Sequence, residues 1–331
     1  MAHSTVYDVA DKAGVSIATV SRVVNSPDKV NPETRTKVLR AIDALGYIPK
    51  AEAAARARKS AGRIGVLAPL FTYPSFIQRL RGVAHALSAL PYELTVYNVD
   101  NTARRDDYVT SLSLTRRLDG LILMALPFTE TAVERLVNHS METVSIEVTH
   151  PSFSSIEIDD VSGGHMAAEF FIRKGHTRLG FLGDADMPEY AFPTSDRRLS
   201  GYRAAINEAG LALEAARVGL AAQSVENARQ CMLRLLDLPG PPTAVFCASD
   251  TQAIGALKAA RTRGIRVPQD VAIMGFDDLD IADYIGLTTI RQHLEESGQL
   301  AVELLLSRLE NRNRPIKHVR LTLEVIERET T

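Results

Sequence analysis

Polar side chains stand where predicted strands of this sequence end, and together they could bind a small polar molecule. Glu147, Asp250 and Asp277 end or follow predicted strands, Arg198 lies at the start of a helix, and Gln292 lies in a crossover. Aromatic side chains follow the first predicted strand, at Phe71, Tyr73 and Phe76. Carboxylates, a guanidinium and an amide exchange hydrogen bonds with hydroxyl groups, and aromatic rings cover the apolar face of a sugar. The set favours a polyhydroxylated ligand over a purine.

Residue patterns that would indicate catalysis are missing from the sequence. It contains neither a G-x-G-x-x-G stretch nor the G-x-x-x-x-G-K-[ST] loop that binds phosphates. Three histidines, one pair of adjacent aspartates and the two cysteines have no metal-ligand spacing: His165, His176, His293, Asp159, Asp160, Cys231 and Cys247. We therefore predict that the protein is not an enzyme and needs no cofactor or metal. Asp278 and Asp280 are expected to be structural partners rather than ligands.

A second set of residues, near the N-terminus, has the geometry needed to bind DNA. Gly14 separates two short predicted helices, residues 6–13 and 17–25, and Ser16 is placed to cap the second. That second helix exposes side chains near its start, as a recognition helix does in the major groove: Ile17, Ala18, Ser21 and Arg22. A third helix is predicted between Asn31 and Gly46. On spacing alone, a generic helical hairpin remains an alternative.

The charge distribution also points to a polyanionic partner for this N-terminal segment. The first 60 of 331 residues carry ten Lys and Arg against six Asp and Glu, a net charge of +4. The whole chain has a net charge of −2, so the remaining 271 residues carry −6. No basic region feeds a long apolar run, and no apolar stretch approaches the roughly 20 residues of a membrane span. We expect a cytoplasmic protein that does not enter a membrane.

From Gly62 onward, short apolar strands alternate with amphipathic helices. This alternation predicts parallel sheets covered by helices on both faces. About ten strands are predicted, more than one compact parallel sheet usually holds, so we expect two similar α/β lobes. Ligands of such sheets bind beyond the carboxyl ends of the strands. We therefore expect the ligand to bind in the cleft between the lobes.

The segment Thr5–Pro49 closely resembles, without a gap, the DNA-binding head of the lactose-repressor (LacI/GalR) family of bacterial transcriptional regulators. Matching motifs continue in order through the body: Ile64-Gly65-Val66, Asp119-Gly120-Leu121-Ile122, Gly175-His176, Leu199-Ser200-Gly201-Tyr202, Ala248-Ser249-Asp250, Gly275-Phe276-Asp277-Asp278 and Leu287-Thr288-Thr289-Ile290. The resemblance implies an all-α helix-turn-helix head and a periplasmic-binding-protein-like core of two Rossmann-like lobes. The boundaries it implies are 1–49 for the head, 50–61 for a hinge helix, 62–161 with 292–318 for the N-terminal lobe, and 162–291 with 319–331 for the C-terminal lobe.

The resemblance also implies roles for residues of the head. Ile17 and Ala18 occupy the specificity positions of the recognition helix, where apolar side chains suit thymine methyl groups. Arg22 is expected to bind a guanine through two hydrogen bonds. Polar residues that match the family's phosphate contacts are Thr5, Tyr7, Ser16, Thr19, Ser21, Asn25 and Thr34. For the small hydroxyl residues, helix capping is the alternative role, and Ser16 is expected to do both.

The hinge departs from the family pattern. The family inserts a leucine from each subunit into the minor groove, whereas this sequence has Arg56 at that position, or Arg58 if the alignment slides by two residues. Ala53 matches the small residue that lets the hinge helix approach the DNA closely. An arginine suits a narrow, negative minor groove but does not unstack bases as leucine does. We therefore expect a weaker kink, and a solvated basic linker remains an alternative.

For the body, the resemblance implies an allosteric, sugar-responsive repressor. Its effector would be held by Phe71, Tyr73, Phe76, Glu147, Arg198, Gln223, Asp250, Asp277 and Gln292. Gln223 stands where some sugar-binding members carry an aromatic ring. Whether the effector induces or corepresses is left open. We expect a homodimer on a pseudo-palindromic operator, because residues 319–326 predict a final strand and no leucine-heptad tail follows.

Two other classes of protein share parts of this pattern. A solute-binding protein has the two-lobed body, but it would need an export signal and would lack the N-terminal head. A sugar kinase would need phosphate-binding loops, which this sequence lacks. A DNA-binding regulator is therefore the interpretation that accounts for the whole chain.

Overall fold

A computed structural model describes residues 4–47, 62–115, 117–185 and 187–331 of the chain. Ala53 and Arg56, for which the sequence predicts DNA contacts in the hinge, lie outside these residues. In the described ranges, no helix is long and apolar enough to cross a membrane.

Three helices form the head, and the second and third begin at the caps predicted for them. They are α1 (Val6–Ala13), α2 (Ile17–Asn25) and α3 (Pro32–Leu45), with a short 3-10 helix at Pro27–Lys29. Ser16 caps α2 by accepting a hydrogen bond from the backbone N–H of Thr19, and Asn31 caps α3 in the same way through Glu33. Gly14 and Gly46 end α1 and α3 at φ of 64° and 56°, where a side chain would be strained.

The first sheet of the body has six strands in the order β11-β5-β4-β3-β1-β2. The strands β1 to β4 pair in parallel, as the alternation of strands and helices predicts. The strand bounds are β1 Gly62–Pro69, β2 Tyr92–Val99, β3 Gly120–Met124, β4 Glu142–Ile146, β5 Ser154–Glu157 and β11 His318–Arg320. The helices that follow the first strands are α4 (Pro74–Leu87), α5 (Thr102–Thr115) and α6 (Glu130–Asn138).

The second sheet repeats the arrangement, with the order β12-β10-β9-β8-β6-β7 and one antiparallel pair, β10 with β12. Its strands are β6 Leu179–Asp184, β7 Val218–Ala221, β8 Ala244–Cys247, β9 Ala272–Asp277, β10 Thr288–Arg291 and β12 Glu324–Ile326. The helices of this half are α7 (Asp160–Arg173), α8 (Thr194–Glu208), α9 (Val225–Leu236), α10 (Asp250–Thr262) and α11 (Asp280–Tyr284). The long helix α12 (Leu294–Glu310) follows β10 in the chain. Cys231 and Cys247 are buried and unpaired here, as predicted for core residues.

The prediction of one final strand over residues 319–326 is wrong. The segment forms two short strands, β11 and β12, which belong to different sheets. Between them, Leu321 and Leu323 are buried. A chain that leaves one sheet and enters another cannot keep one continuous ladder of backbone hydrogen bonds. The strand is therefore interrupted, although the apolar sequence continues.

Backbone contacts divide the chain into two compact units. The first comprises Met1–Leu70, Ala84–Ser155 and Leu300–His318; the second comprises Phe71–Val83, Ile156–Gln299 and Val319–Thr331. The start of α4 therefore joins the second unit, although the sequence-based boundaries place it in the N-terminal lobe. Glycines bring it close to α12: a Cβ at Gly82 would lie 2.0 Å from the carbonyl oxygen of Glu295, and one at Gly298 would lie 2.2 Å from that of Arg79.

Candidate DNA-reading helix and effector site

The side chains predicted to read DNA lie on the exposed face of α2. Ile17 is 39% exposed, and Ala18, Ser21 and Arg22 are also exposed. The opposite face of the helix packs into the head through Val20, Val23 and Val24. An exposed apolar residue beside an arginine at the start of a second helix is the arrangement that a major-groove contact needs.

Of the hydroxyl residues predicted to contact phosphate, Thr5 and Ser16 cap helices and lie at the surface. Thr5 forms a capping box with Asp8, and Ser16 accepts from the N–H of Thr19 at 3.2 Å. Tyr7 is 65% exposed, and Thr34 is half-buried in the first turn of α3. Asn25 is the last residue of α2. Capping and phosphate binding use the same helix ends, so the predicted contacts remain compatible with the structure.

In the second unit, Arg198 is the centre of a buried polar cluster. Its Nε donates to Asp160 Oδ1 at 2.8 Å, and its Nη1 donates to the carbonyl oxygen of Ala248 at 2.5 Å. The guanidinium carbon lies 3.6 Å from the centroid of the Phe276 ring, within the range of a cation–π contact. Nη1 also lies 3.9 Å from Asp277 Oδ1. Two of the predicted ligand residues, Arg198 and Asp277, are thus brought together.

Glycines on α7 and α8 allow Arg198 to reach Asp160. A Cβ at Gly164 would lie 1.9 Å from the carbonyl oxygen of Arg198, and one at Gly201 would lie 1.8 Å from that of Val161. The two helix backbones are therefore in direct contact, which places the first turn of α7 beside the second turn of α8. Asp160 has no metal-ligand spacing in the sequence, and its ion pair with Arg198 was not predicted.

Gln292 links Arg79 to Asp277. Its Oε1 accepts from Arg79 Nη2 at 2.8 Å, and its Nε2 donates to Asp277 Oδ1 in a short hydrogen bond. A guanidinium can only donate, so this contact fixes which end of the amide faces Asp277. Arg79 is 2% exposed and was not predicted, because it interrupts an otherwise ordinary amphipathic helix. The sequence gives no sign that α4 would bury it.

Asp277 is buried at a backbone φ of 132°, which is rare for a residue with a side chain. Burial raises the pKa of its carboxyl well above the usual range, although Arg198, Gln292 and Arg79 act in the opposite direction. A carboxyl with a raised pKa can both donate to and accept from a ligand hydroxyl group. Strained backbone of this kind is concentrated at functional sites.

Asp250, also predicted to bind the effector, is held by the protein itself. Its Oδ1 accepts from Thr289 Oγ1 at 2.5 Å and its Oδ2 accepts from the backbone N–H of Leu279 at 2.8 Å. Burial raises the pKa of this carboxyl, and the two hydrogen bonds partly offset the effect. Because both oxygens have protein partners, the geometry favours a positioning role for Asp250 over direct contact with a ligand.

The neighbouring aspartates of the β9–α11 connection are structural, as predicted. Asp278 pairs with Arg291 and Arg328, and Asp280 pairs with Arg81. These ion pairs attach the connection to β10, to the C-terminal segment and to α4.

Asp184, at the end of β6, is a candidate that sequence analysis missed. Its Oδ1 accepts from Gln252 Nε2 at 2.8 Å, and burial raises the pKa of its carboxyl to about 6, with Arg198 opposing the shift and Asp196 adding to it. Burial and then the charges of Asp184 and Tyr190 raise the pKa of Tyr73, which places this predicted ligand residue near Asp184.

The remaining residues that were predicted to bind the effector are found in both units. Glu147 follows β4 in the first unit, with a φ of 75°, and is buried. In the second unit, Phe71 and Phe76 flank the start of α4 and are half-buried; Gln223 is half-buried directly before Ser224, which caps α9. Within the part of the chain that the structure describes, no group of three or more His, Cys, Asp or Glu residues could hold a metal ion.

Comparison with known proteins matches this geometry to a recognised architecture. Residues 5–50 match the profile described as bacterial regulatory proteins, lacI family, and residues 168–331 match a periplasmic binding protein-like domain. The chain is 32% identical over 315 residues to the HTH-type transcriptional repressor CytR of Escherichia coli K12, covering 94% of this chain and 91% of the relative.

Two solved structures resemble the chain over nearly all of their length. One is the complex of the transcriptional regulator CelR with cellobiose: TM-score 0.71, 28% identity, covering 99% of this chain and 100% of the other. The second is the lac repressor dimer bound to operator and the anti-inducer ONPF: TM-score 0.71, 27% identity, covering 100% of this chain and 99% of the other.

Proposed function

The chain belongs to the LacI family of bacterial transcriptional regulators, and from this premise we propose that it represses genes for sugar uptake and breakdown under the control of a sugar effector. Members of the family are DNA-binding regulators with an effector-binding core, not enzymes. We place the protein in the cytoplasm, where its operator would be, as a homodimer.

The Arg198 cluster is the observation that carries the proposal for the effector. In this cluster a buried guanidinium lies 3.9 Å from a carboxyl with a raised pKa, and the amide of Gln292 orients that carboxyl. Each sugar hydroxyl both donates and accepts, so a mixed set of this kind suits it. The related CelR was solved with cellobiose, which supports a sugar in this type of core.

Coupling between effector and DNA follows from linkage. A ligand shifts a conformational equilibrium only by its difference in affinity for the two states, typically about 1–3 kcal/mol. We propose that the effector binds the core and favours one of its conformations, which changes the spacing of the two heads in a dimer. The sign of the coupling is fixed by whichever conformation also suits the operator.

A thermal-shift panel tests the effector class. Monosaccharides, disaccharides including cellobiose, and nucleosides are each added in excess to the purified chain. A ligand at 100 times its Kd stabilises the fold by about 2.7 kcal/mol, a shift of several degrees. We expect a sugar to give that shift. Stabilisation by nucleosides alone would instead support the purine alternative.

Arg22→Ala is expected to relax base specificity. The loss of a two-hydrogen-bond contact to guanine should cost roughly 1–3 kcal/mol on the specific site and leave binding to unrelated DNA nearly unchanged. Fluorescence anisotropy on a selected duplex and on a scrambled duplex measures both.

Lys37→Ala is the matched control for Arg22→Ala, because Lys37 is an exposed cation of α3 whose partner is Glu33 of the same helix. It should change the affinity for the two duplexes little and equally. If Arg22→Ala lowered both affinities by the same factor, Arg22 would be a phosphate contact and our assignment would be wrong.

The assembled protein is expected to be a two-fold dimer that binds a pseudo-palindromic operator, because one small head makes few contacts. Light scattering at micromolar concentration should give about twice the chain mass of 36.2 kDa. A stable tetramer would contradict this prediction.

A further inference from the structure

The head packs against a face of the first unit formed by α5 and α6, here named the α5–α6 face: Asp107, Thr110, Leu114, Arg135 and His139. Arg35 of α3 donates from both terminal nitrogens to the two carboxylate oxygens of Asp107, one of these contacts at 3.3 Å. A two-bond arginine–carboxylate pair fixes orientation as well as distance. This contact joins residues 72 positions apart in the chain.

A second polar contact lies one helix further along. Arg135 donates from Nε and Nη2 to Asp43 Oδ2, both at 3.3 Å, while its Nη1 donates to Thr110 Oγ1 at 2.7 Å. The buried His139 places Nε2 3.5 Å from Asp43 Oδ1. Burial alone would raise the pKa of Asp43, but the hydrogen bonds and charges of His139 and Arg135 lower it overall. The contacts with Arg135 and His139 therefore stabilise the charged form of Asp43.

An apolar residue of the body completes the core of the head. Leu114 of α5 is 3% exposed and belongs to the same buried cluster as Val20, Val24 and Ile42. The three head helices together make a domain of fewer than 50 residues, and domains of that size bury too little surface to be very stable alone. Docking on the α5–α6 face adds to the buried apolar surface of the head.

Docking leaves the DNA-reading face of α2 open. Ile17, Ala18 and Arg22 are exposed while Arg35 and Asp43 are engaged. The two contacts lie on α3, whereas the exposed residues lie at the start of α2. The docked arrangement therefore presents the recognition helix rather than covering it.

We propose that the α5–α6 face is a docking site for the chain's own head and holds α2 in a fixed orientation on the first unit. The head and the rest of the first unit then move as one body. The consequence for DNA binding rests on the proposed function. When the effector displaces the first unit, that movement would reach the DNA through the α5–α6 face as well as through the hinge. The face is a positioning surface, and its residues do not touch DNA.

Electron paramagnetic resonance between two spin labels tests the docking without DNA or effector. Cysteines replace Lys37 on α3 and Glu130 on α6, whose side chains are 60% and 83% exposed, and the native Cys231 and Cys247 are buried. Labelled full-length chain is mixed with a large excess of unlabelled chain, so that only distances within one chain are measured. We expect one narrow distance distribution.

Charge variants decide whether the ion pair causes that distribution. Asp107→Arg places two cations together and should broaden the distribution, and the exchange Arg35→Asp with Asp107→Arg should restore it. Asp106→Arg is the matched control, because Asp106 pairs with its neighbour Arg105 instead. A broad distribution without these substitutions, or a narrow one that Asp107→Arg leaves unchanged, would overturn the proposal. If the narrow distance distribution disappeared when the labelled chain was mixed with unlabelled chain, the α5–α6 face would instead bind the head of a second copy.

The consequence for DNA has a separate readout. Asp107→Arg should weaken binding to a two-fold symmetric duplex by at least about fivefold and leave binding to a single half-site unchanged, with recovery in the exchanged pair. Equal binding of both duplexes in every variant would show that docking does not position the heads, whatever the spin labels report. If no duplex is bound specifically, the proposed function fails while the docking result stands.

Discussion

Replacing Arg198 with alanine is expected to abolish the response to effector and to destabilise the second unit. A hydrogen bond to a charged group contributes about 1.5–3 kcal/mol, so losing one between Arg198 and the effector should weaken effector binding by roughly 10- to 100-fold. The substitution also leaves Asp160, which is fully buried, without its cationic partner. Breaking a buried ion pair from one side typically costs about 3–5 kcal/mol of unfolding free energy.

A double variant separates the two effects. Arg198→Met with Asp160→Asn removes both charges and keeps side-chain volume, so most of the lost stability should return in urea titrations. The effector response should remain lost, because the donor that binds the sugar is still missing. If the double variant responded to the sugar at wild-type concentrations, the effector site would lie elsewhere in the chain.

Replacing Gly201 with alanine is the second change with a large expected effect. The added Cβ would lie 1.8 Å from the carbonyl oxygen of Val161, which is backbone and cannot rotate away. Overpacking typically costs about 1–3 kcal/mol, and we expect a loss at the upper end of that range or beyond. The displaced helix would also carry Arg198 away from Asp160, so effector affinity should fall with stability.

Gly240→Ala is the matched control for Gly201→Ala. A Cβ there would meet Arg217 Nη2 at 3.5 Å, an ordinary contact with the end of a flexible side chain, at a backbone angle that tolerates alanine. Its effect on the urea midpoint should stay within about 0.5 kcal/mol. Equal stability of the two variants would show that α7 and α8 are not in backbone contact.

Most of the head could be predicted from the sequence because its limits are set locally. Ser16 and Asn31 cap helices with their own side chains, and Gly14 ends α1 through its own φ. Such signals act within four residues and need no tertiary information. The alternation of strands and helices is likewise visible along the sequence, and it predicted the two parallel sheets.

The site was only partly predictable, because its missing members depend on distant partners. Asp160 becomes a partner of Arg198 when α7 and α8 touch, and Arg79 reaches Gln292 from a helix 213 residues away in sequence. Asp250 and Asp277 look equivalent in the sequence, as acids that follow strands. The structure distinguishes them, since Thr289 and Leu279 engage both oxygens of Asp250.

Selection from a random DNA library by the full-length protein tests the central claim most directly. The enriched duplex should contain two inverted half-sites, and its affinity should change at least about fivefold when the sugar found in the thermal-shift panel is added. The same titration with Arg198→Met and Asp160→Asn should show the DNA affinity without the sugar response. A library that yields no inverted repeat, or a selected duplex whose affinity is the same with and without every stabilising ligand, would contradict the account.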